Sequence, residues 1–180
     1  MIYKRENIND DVIMSVAQKM CTAAITAPKG HGIDNINVLI LDGDDKKKLS
    51  DAMREIAAET GEEFYTRDAK NVEACPCIVL IGINAAPIGL KNCGLCGFEN
   101  CAATVKAGAN CAFNTVDLGI AIGSAVSIAA DNRIDNRVLF SAGKAALRIN
   151  VFPEKVRVCF GIPLSVSGKS LFFDRPAIAK

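Results

Sequence analysis

Four cysteines lie close together near the middle of the chain, with the spacing C-x2-C-x4-C-x9-C. They are Cys93, Cys96, Cys101 and Cys111. A 4Fe–4S cluster is held by four cysteine thiolates, which must surround it compactly. Gly94 and Gly97 follow the first two cysteines, and without side chains they leave room for the sulfides and permit unusual backbone angles. The spacing therefore predicts a 4Fe–4S cluster on these four cysteines, within a cysteine-rich iron–sulfur segment at residues 85–111.

Two other uses of closely spaced cysteines compete with a cluster. Structural zinc also accepts four thiolates at short spacings, and spacing alone does not exclude it. A thiol–disulfide pair of the C-x-x-C type would leave Cys101 and Cys111 without a role. The fourth cluster ligand is itself a choice among Cys111, Cys75 and Cys77. Cys111 is favoured because it begins a predicted helix, where free N–H groups and the helix dipole stabilise a thiolate.

Composition narrows the class of protein. The chain of 180 residues has a formal charge of +1, and this near-neutral balance gives no reason to expect nucleic acid or an acidic membrane as a partner. Eight cysteines in a reducing cytosol favour metal binding or redox chemistry over disulfides. Two of them, Cys21 and Cys159, lie in apolar elements and are expected to be structural.

The predicted location is the cytoplasm. The N-terminus lacks the apolar core of a secretion signal. The most hydrophobic stretch, Leu118–Ala130, has 13 residues, which is too short to cross a bilayer. We therefore expect a cytoplasmic protein without membrane association, with residues 1–180 forming a single domain.

Hydrophobic periodicity predicts four helices and three strands. The helices are Asp10–Ala27, Asp44–Thr60, Phe113–Ala130 and Ser141–Ile149, and the strands are Ile36–Leu41, Cys77–Ile83 and Val156–Phe160. The turn-rich sequence after Gly161 predicts an extended C-terminal arm. This order of elements alone fits a doubly wound sheet as well as an α+β sandwich.

The third predicted helix is rich in small residues. Gly119 and Gly123 are four residues apart and share a face, so another backbone could approach closely there. Tight packing inside one core and a symmetric subunit interface explain this pattern equally well. We expect a homodimer with Leu118–Ala130 at or near the interface.

The cysteine run Cys-Gly-Leu-Cys-Gly-Phe-Glu-Asn-Cys resembles the C-G-x-C-G-x-x-x-C signature of 4Fe–4S domains in corrinoid iron–sulfur proteins. The whole chain resembles a prokaryotic family described as ferredoxin domain-containing. Segments from one end of the chain to the other carry this second resemblance: Thr26–Gly30, Cys93–Cys101, Cys111–Asn114, Asp117–Ala121, Gly161–Ser165 and Phe172–Arg175.

A more distant resemblance is to FMN-dependent nitroreductases. It rests on Ala27-Pro28 before a strand, on the small-residue helix, and on Gly161-Ile162-Pro163 after the last strand. The resemblance implies an α+β fold, a nitroreductase-like α/β/α sandwich with an inserted cysteine-rich cluster loop. It also implies FMN as a second cofactor. The arginine-rich N-terminal segment with which nitroreductases grip the FMN phosphate has no clear counterpart, so Lys29 and Lys169 are the candidate phosphate ligands. His31, next to Lys29, could line the same pocket.

Three functions follow from these features. The first is an FMN-linked oxidoreductase whose cluster passes single electrons to the flavin. The second is a 4Fe–4S electron-transfer protein or sensor without flavin, and the third is a zinc-stabilised, non-catalytic binding protein. The expected partner is a redox protein or a small-molecule electron acceptor. Hydrolases are poorly supported, because the chain has no Gly-x-Ser-x-Gly motif, no phosphate loop and a single histidine.

Overall fold

A four-stranded antiparallel sheet forms the centre of the fold. The computed structural model describes residue 2 and residues 4–173, and for residues 5–8 it describes the backbone alone. The strands are β1 (Ile36–Leu41), β2 (Cys77–Asn84), β3 (Asp135–Asn136) and β4 (Val156–Ser165). They lie in the order β1-β2-β4-β3, and every pairing is antiparallel. The doubly wound alternative, which requires parallel strands, is therefore wrong.

Helices cover both faces of this sheet. They are α1 (Arg5–Thr26), α2 (Gly43–Thr60), α3 (Glu63–Ala74), α4 (Cys101–Lys106), α5 (Ala112–Asp131) and α6 (Phe140–Arg148), and a 3-10 turn lies at Gly30–Gly32. Side chains alternate along β2. Val79 and Ile81 pack against α1 and α5, whereas Ile78 and Leu80 pack against α2, α3 and α6. The predicted α/β/α sandwich is confirmed.

Helix α6 approaches β4 closely because two glycines lie at the contact. A Cβ atom on Gly143 would lie 1.8 Å from the carbonyl oxygen of Cys159, and one on Gly161 would lie 2.7 Å from the Cβ of Ala142. Only residues without a side chain fit at these points. Gly161 also exchanges both backbone hydrogen bonds with Leu139, so α6 begins at a fixed position against the sheet.

The C-terminal region differs from its prediction. Strand β4 does not end at Phe160 but continues to Ser165 through Pro163. A proline inside a strand lacks a donor for the ladder. Here β3 pairs with β4 only at Leu164 and Ser165, and the next bridge is at Gly161, so in the described part of the chain no partner faces the proline nitrogen. In the described residues after Ser165 the chain is irregular, with bends at Gly168 and Lys169 and a turn at residues 171–173. The rest of the predicted extended arm, residues 174–180, lies outside the described ones.

Two helices were missing from the prediction. Helix α3 follows α2 after a two-residue break, where Gly61 adopts the left-handed conformation, with φ of 75°, that ends α2. Its buried side chains, among them Tyr65, Ala69 and Val72, complete the layer that covers the second face of the sheet. Helix α4 lies inside the cysteine-rich segment and begins at Cys101.

Helix α5 is longer than its apolar core suggested. It has 20 residues and is, by length and composition alone, apolar enough to cross a membrane. The apolar stretch of 13 residues that was judged too short to cross a bilayer is thus only part of the helix that forms. Its inner face is buried against α1 and the sheet, with Leu118, Ala121 and Ala125 fully covered. A core helix of a globular protein meets the same length and composition test, and the compartment of the protein stays an expectation.

Candidate metal and flavin sites

The four cysteines of the C-x2-C-x4-C-x9-C pattern line one cavity. Its walls include Cys93, Cys96, Cys101 and Cys111 together with Thr104 and Phe113, and its volume is about 20 Å³. Cys111 is buried and the other three thiols are partly exposed. The fold therefore brings these four side chains to the same place, with one face of the group open towards solvent.

A glycine-rich turn presents the first two thiols. The amide of Gly97 donates a hydrogen bond to the carbonyl oxygen of Gly94 at 2.9 Å, and the two residues have φ values of 81° and 61°. These angles lie in the left-handed region, which glycine adopts without strain. The turn holds Cys96 above the short helix α4.

Helix α4 supplies the third thiol and a buried hydroxyl. It begins at Cys101 because the Asn100 side chain accepts a hydrogen bond from the amide of Ala103 at 2.9 Å, which is a typical N-cap. One turn into the helix, the Thr104 hydroxyl lies 3.1 Å from the sulfur of Cys96. This contact, with the backbone of Phe98, lowers the pKa of the Cys96 thiol below its ordinary value. Sequence reasoning missed Thr104, although the asparagine four residues before it signals the helix.

The fourth thiol belongs to the first turn of α5. Cys111 occupies the N-cap position of this helix. In the same turn, Asn114 holds Ala86 by two hydrogen bonds: its side-chain oxygen accepts from the amide at 3.2 Å, and its side-chain nitrogen donates to the carbonyl at 3.1 Å. Asp117 accepts a hydrogen bond from the amide of Gly30 at 3.0 Å. The start of α5 therefore anchors the start of the cysteine-rich segment.

Four thiols are the ligands that an iron–sulfur cluster or a structural zinc ion requires. The positions of their side chains fit such a site less well. Among the residues that the structure describes, no three Cys, His, Asp or Glu side chains converge closely enough to hold a metal ion. A cavity of about 20 Å³ has room for one water-sized occupant, so a cubane requires the loop to widen. The glycines at 94 and 97 are the joints that permit such a movement.

Cys75 and Cys77 lie elsewhere. They line a separate open groove of about 470 Å³, together with Asp10 and Asp42 at the start of α1 and α2. Burial raises the pKa of Cys75 to about 12 and that of Cys77 to about 11. At neutral pH these thiols are therefore protonated, and the fold does not bring them to the other four.

Lys29 is engaged with its own helix. Its ammonium group donates to the carbonyl oxygens of Ile25 and Ala27, lies 3.7 Å from Asp34, and its side chain is 7% exposed. Lysine at a helix C-terminus satisfies the last free carbonyls in this way. His31 is exposed and adopts a left-handed backbone angle. The turn after α1 is therefore held together by the side chain that we expected to bind phosphate.

Lys169 lies at the other end of α1. The turn that contains it borders a groove of about 440 Å³, whose walls include Asp10 of α1 and Ser167 and Leu171 beyond β4. The 15 residues from Asp10 to Ile25 span about 22 Å of helix. The two lysines are thus too far apart to hold one phosphate within a single protomer, and the turn that contains Lys169 borders a groove. Their role as phosphate ligands stays a prediction.

Comparison with solved structures identifies the fold. A nitroreductase with bound FMN from Desulfitobacterium hafniense superposes with a TM-score of 0.60 and 15% identity, over 100% of this chain and 85% of the other. A BluB-like flavoprotein from Clostridium difficile superposes with a TM-score of 0.57 and 18% identity, over 100% and 86%. At this identity the likeness concerns the fold alone.

Comparison of sequences identifies the family. A family described as "uncharacterized protein containing a ferredoxin domain" matches residues 107–175, which include Cys111. An uncharacterized protein of Archaeoglobus fulgidus is 37% identical over 183 aligned positions, which cover 97% of this chain and 98% of the relative. The chain therefore belongs to the family of proteins containing a ferredoxin domain, and in it that sequence is built on a nitroreductase-like fold.

Proposed function

We propose that the protein is a 4Fe–4S electron-transfer protein whose cluster is held by Cys93, Cys96, Cys101 and Cys111. One observation supports this above all others: these four thiols line one cavity, whereas Cys75 and Cys77 lie in another groove. When bound, such a cluster supplies one-electron transfer. The family's ferredoxin domain agrees with a redox role.

The surroundings of the cavity suit electron transfer to a partner. Leu95 beside the second thiol and Val105 on α4 are 65% and 62% exposed, so apolar surface is available next to the site. The charged side chains of Lys91 and Lys106 are exposed nearby. A redox protein or a small-molecule electron acceptor could approach the three partly exposed thiols from this side.

Metal analysis tests the proposal. Protein purified or reconstituted without oxygen should contain iron and acid-labile sulfide at about four each per chain, the content of one cubane, with brown visible absorption. A Cys21→Ser variant is the matched control, because this thiol lies in α1 and outside the cavity. Stoichiometric zinc in place of iron, in anaerobic material, would contradict the proposal and support the zinc-stabilised binding protein.

An FMN-linked oxidoreductase is the second candidate. It is favoured by the fold shared with a nitroreductase that has bound FMN, and by the groove between the first turns of α1 and the Lys169 turn. Asp10 in this groove would oppose a phosphate, so the cation at 169 has to compensate for it. An added flavin would let the protein pair the single electrons of a cluster.

Titration with FMN distinguishes this candidate from the first. We expect quenching of flavin fluorescence at micromolar protein, and affinity about tenfold lower in Lys169→Gln, since a charged hydrogen bond to phosphate contributes about 1.5–3 kcal/mol. Lys29→Gln is the comparison variant, and its effect decides whether that lysine leaves its helix carbonyls to bind phosphate. If the parent protein has its full cluster content and does not quench the flavin, the candidate that remains is the electron-transfer protein without flavin.

A further inference from the structure

Thr104 is the polar side chain that contacts a proposed cluster ligand directly. It is 1% exposed and lies on α4, where its hydroxyl oxygen is 3.1 Å from the sulfur of Cys96 and 3.3 Å from the carbonyl oxygen of Asn100. Both distances are short enough for a hydrogen bond. The buried hydroxyl therefore faces two alternative partners.

A hydroxyl group has one proton to donate, so the state of Cys96 decides between them. A protonated thiol can donate to the threonine oxygen, which leaves the hydroxyl proton for Asn100. A metal-bound sulfur has no proton and can only accept. The hydroxyl must then turn towards the sulfur, and the Asn100 carbonyl keeps a partner because it also accepts from the backbone amide of Thr104 at 3.2 Å.

We propose that the Thr104 hydroxyl donates a hydrogen bond to the Cys96 sulfur and thereby raises the reduction potential of the cluster. This inference rests on the proposed function. Reduction adds one electron, supplied by an external one-electron donor, and no bond to the protein is made or broken. The added negative charge is partly carried by the sulfur ligands, and a donor aimed at one of them stabilises the reduced form more than the oxidised form. Thr104 is 1% exposed, so its hydroxyl reaches the partly exposed Cys96 sulfur from the side that the protein covers.

Three variants separate this role from a structural one. Thr104→Val keeps the shape of the side chain and removes the hydroxyl, whereas Thr104→Ser keeps the hydroxyl and removes the methyl group. Thr115→Val is the matched control, since its hydroxyl is exposed on the first turns of α5 and bonds only to the carbonyl oxygen of Ala112. Each protein is reconstituted with iron and sulfide without oxygen, and titrated with dithionite and redox mediators under visible and paramagnetic resonance detection.

The expected result is a potential that is more negative in Thr104→Val only. A tenfold fall in the equilibrium constant for reduction would appear as about 59 mV for this one-electron couple. Thr104→Ser and Thr115→Val should keep the parent potential. Loss of the cluster in Thr104→Val but not in Thr104→Ser would also support the hydroxyl contact, because the two differ in the donor.

Two results would overturn the inference. One is a parent-like potential in Thr104→Val at parent-level iron content, which would leave the proposed function intact. The other is an equal defect in Thr104→Val and Thr104→Ser, which would mean that Thr104 acts by packing alone. A parent protein that binds no iron at all would instead contradict the proposed function, and iron analysis of the parent identifies that case before any variant is compared.

Discussion

At the scale of single residues, burial raises the pKa of four cysteines that lie outside the cavity. Burial raises the pKa of Cys159 and Cys75 to about 12, and that of Cys21 and Cys77 to about 11. A thiol in such surroundings is a small apolar side chain rather than a metal ligand, because the ligand form is the thiolate. In the cavity, by contrast, the Thr104 hydroxyl lowers the pKa of Cys96.

The assignment of the fourth ligand gives the first prediction. Replacing Cys111 by serine should remove most of the iron, as Cys93→Ser should, because a cubane needs four thiolates. Cys75→Ser and Cys77→Ser are the matched controls and should keep parent-level iron, since their side chains line a different groove. Iron analysis of anaerobic preparations measures this. Retained iron in Cys111→Ser together with loss in Cys75→Ser would show that the assignment is wrong.

The buried thiols give a second prediction, on pH. Their folded pKa values lie above the ordinary value of 9.0, so above about pH 9 the unfolded chain releases protons that the folded chain retains. The free energy of unfolding should therefore be constant with respect to these groups below pH 9 and fall as the pH rises towards 12. The loss is about 1 kcal/mol per buried cysteine by pH 10.

Urea unfolding of the metal-free, reduced protein at pH 7.5 and pH 10 measures this loss. Cys159→Ala removes one of the titrating groups and should reduce the difference between the two pH values, whatever it does to stability at pH 7.5. Ala109→Ser, a comparable change on a loop that is not fully buried, should leave the difference as in the parent. An equal difference in all three proteins would contradict the prediction.

At the scale of elements, the first two turns of α5 act as an anchor for separate loops. Cys111 begins the helix, Asn114 holds the backbone of Ala86, and Asp117 holds that of Gly30. From the sheet side, the guanidinium of Arg157 on β4 donates to the carbonyl oxygen of Gly108 at 2.8 Å. The cysteine-rich segment, although irregular, is thus tied to the core near both of its ends.

Removing one of these ties gives the third prediction. Asn114→Ala removes both side-chain partners of Ala86, although its amide keeps the carbonyl oxygen of Asn84 at 2.9 Å. The loss costs about 0.5–1.5 kcal/mol for each hydrogen bond. We expect the fold to remain and the proposed cluster to lose its iron faster to a chelator. Thr115→Ala, one position along and exposed, should release iron at the parent rate. Equal rates in all three proteins would mean that the Asn114 contact does not hold the loop.

At the scale of the whole molecule, α5 leaves an apolar stripe uncovered. Val116 and Ile120 are 54% and 40% exposed, and in the described structure a Cβ atom on Gly119 or Gly123 would meet no atom within 4 Å. The two glycines thus point away from the protomer's own core, which leaves a subunit interface as the better explanation of the two. We propose a symmetric homodimer that pairs this stripe with its copy.

Oligomeric state tests this fourth prediction. The parent protein should be a dimer by light scattering at tens of micromolar, and Ile120→Glu should be a monomer, because the substitution buries a charge in each half of a symmetric contact. Phe140→Glu is the matched control: its side chain is 51% exposed and belongs to α6 on the opposite face of the sheet. A monomeric parent protein would show that this dimer does not form. A dimeric Ile120→Glu protein would show that the contact lies elsewhere.

Local sequence signals alone determined much of this fold. Strand β1 was predicted with its observed bounds, and β2, α2 and α5 to within one residue, because strand propensity, the glycine at 61 and hydrophobic periodicity act over a few neighbouring residues. The cysteine spacing likewise singled out the four side chains that share a cavity. That residues 1–180 form one domain was also predicted from sequence and stays a prediction.

Other features depend on contacts between distant segments. The strand through Pro163 exists because β3 leaves that position unpaired, and Thr104 meets Cys96 only once α4 has folded beneath the glycine turn. Lys29 is a local case: sequence offers it as a free cation, but it donates to carbonyl oxygens two and four residues before it at the end of its own helix. Each buried polar group is hydrogen-bonded to a partner, and the tertiary structure makes that choice because it decides which of the competing partners comes within reach.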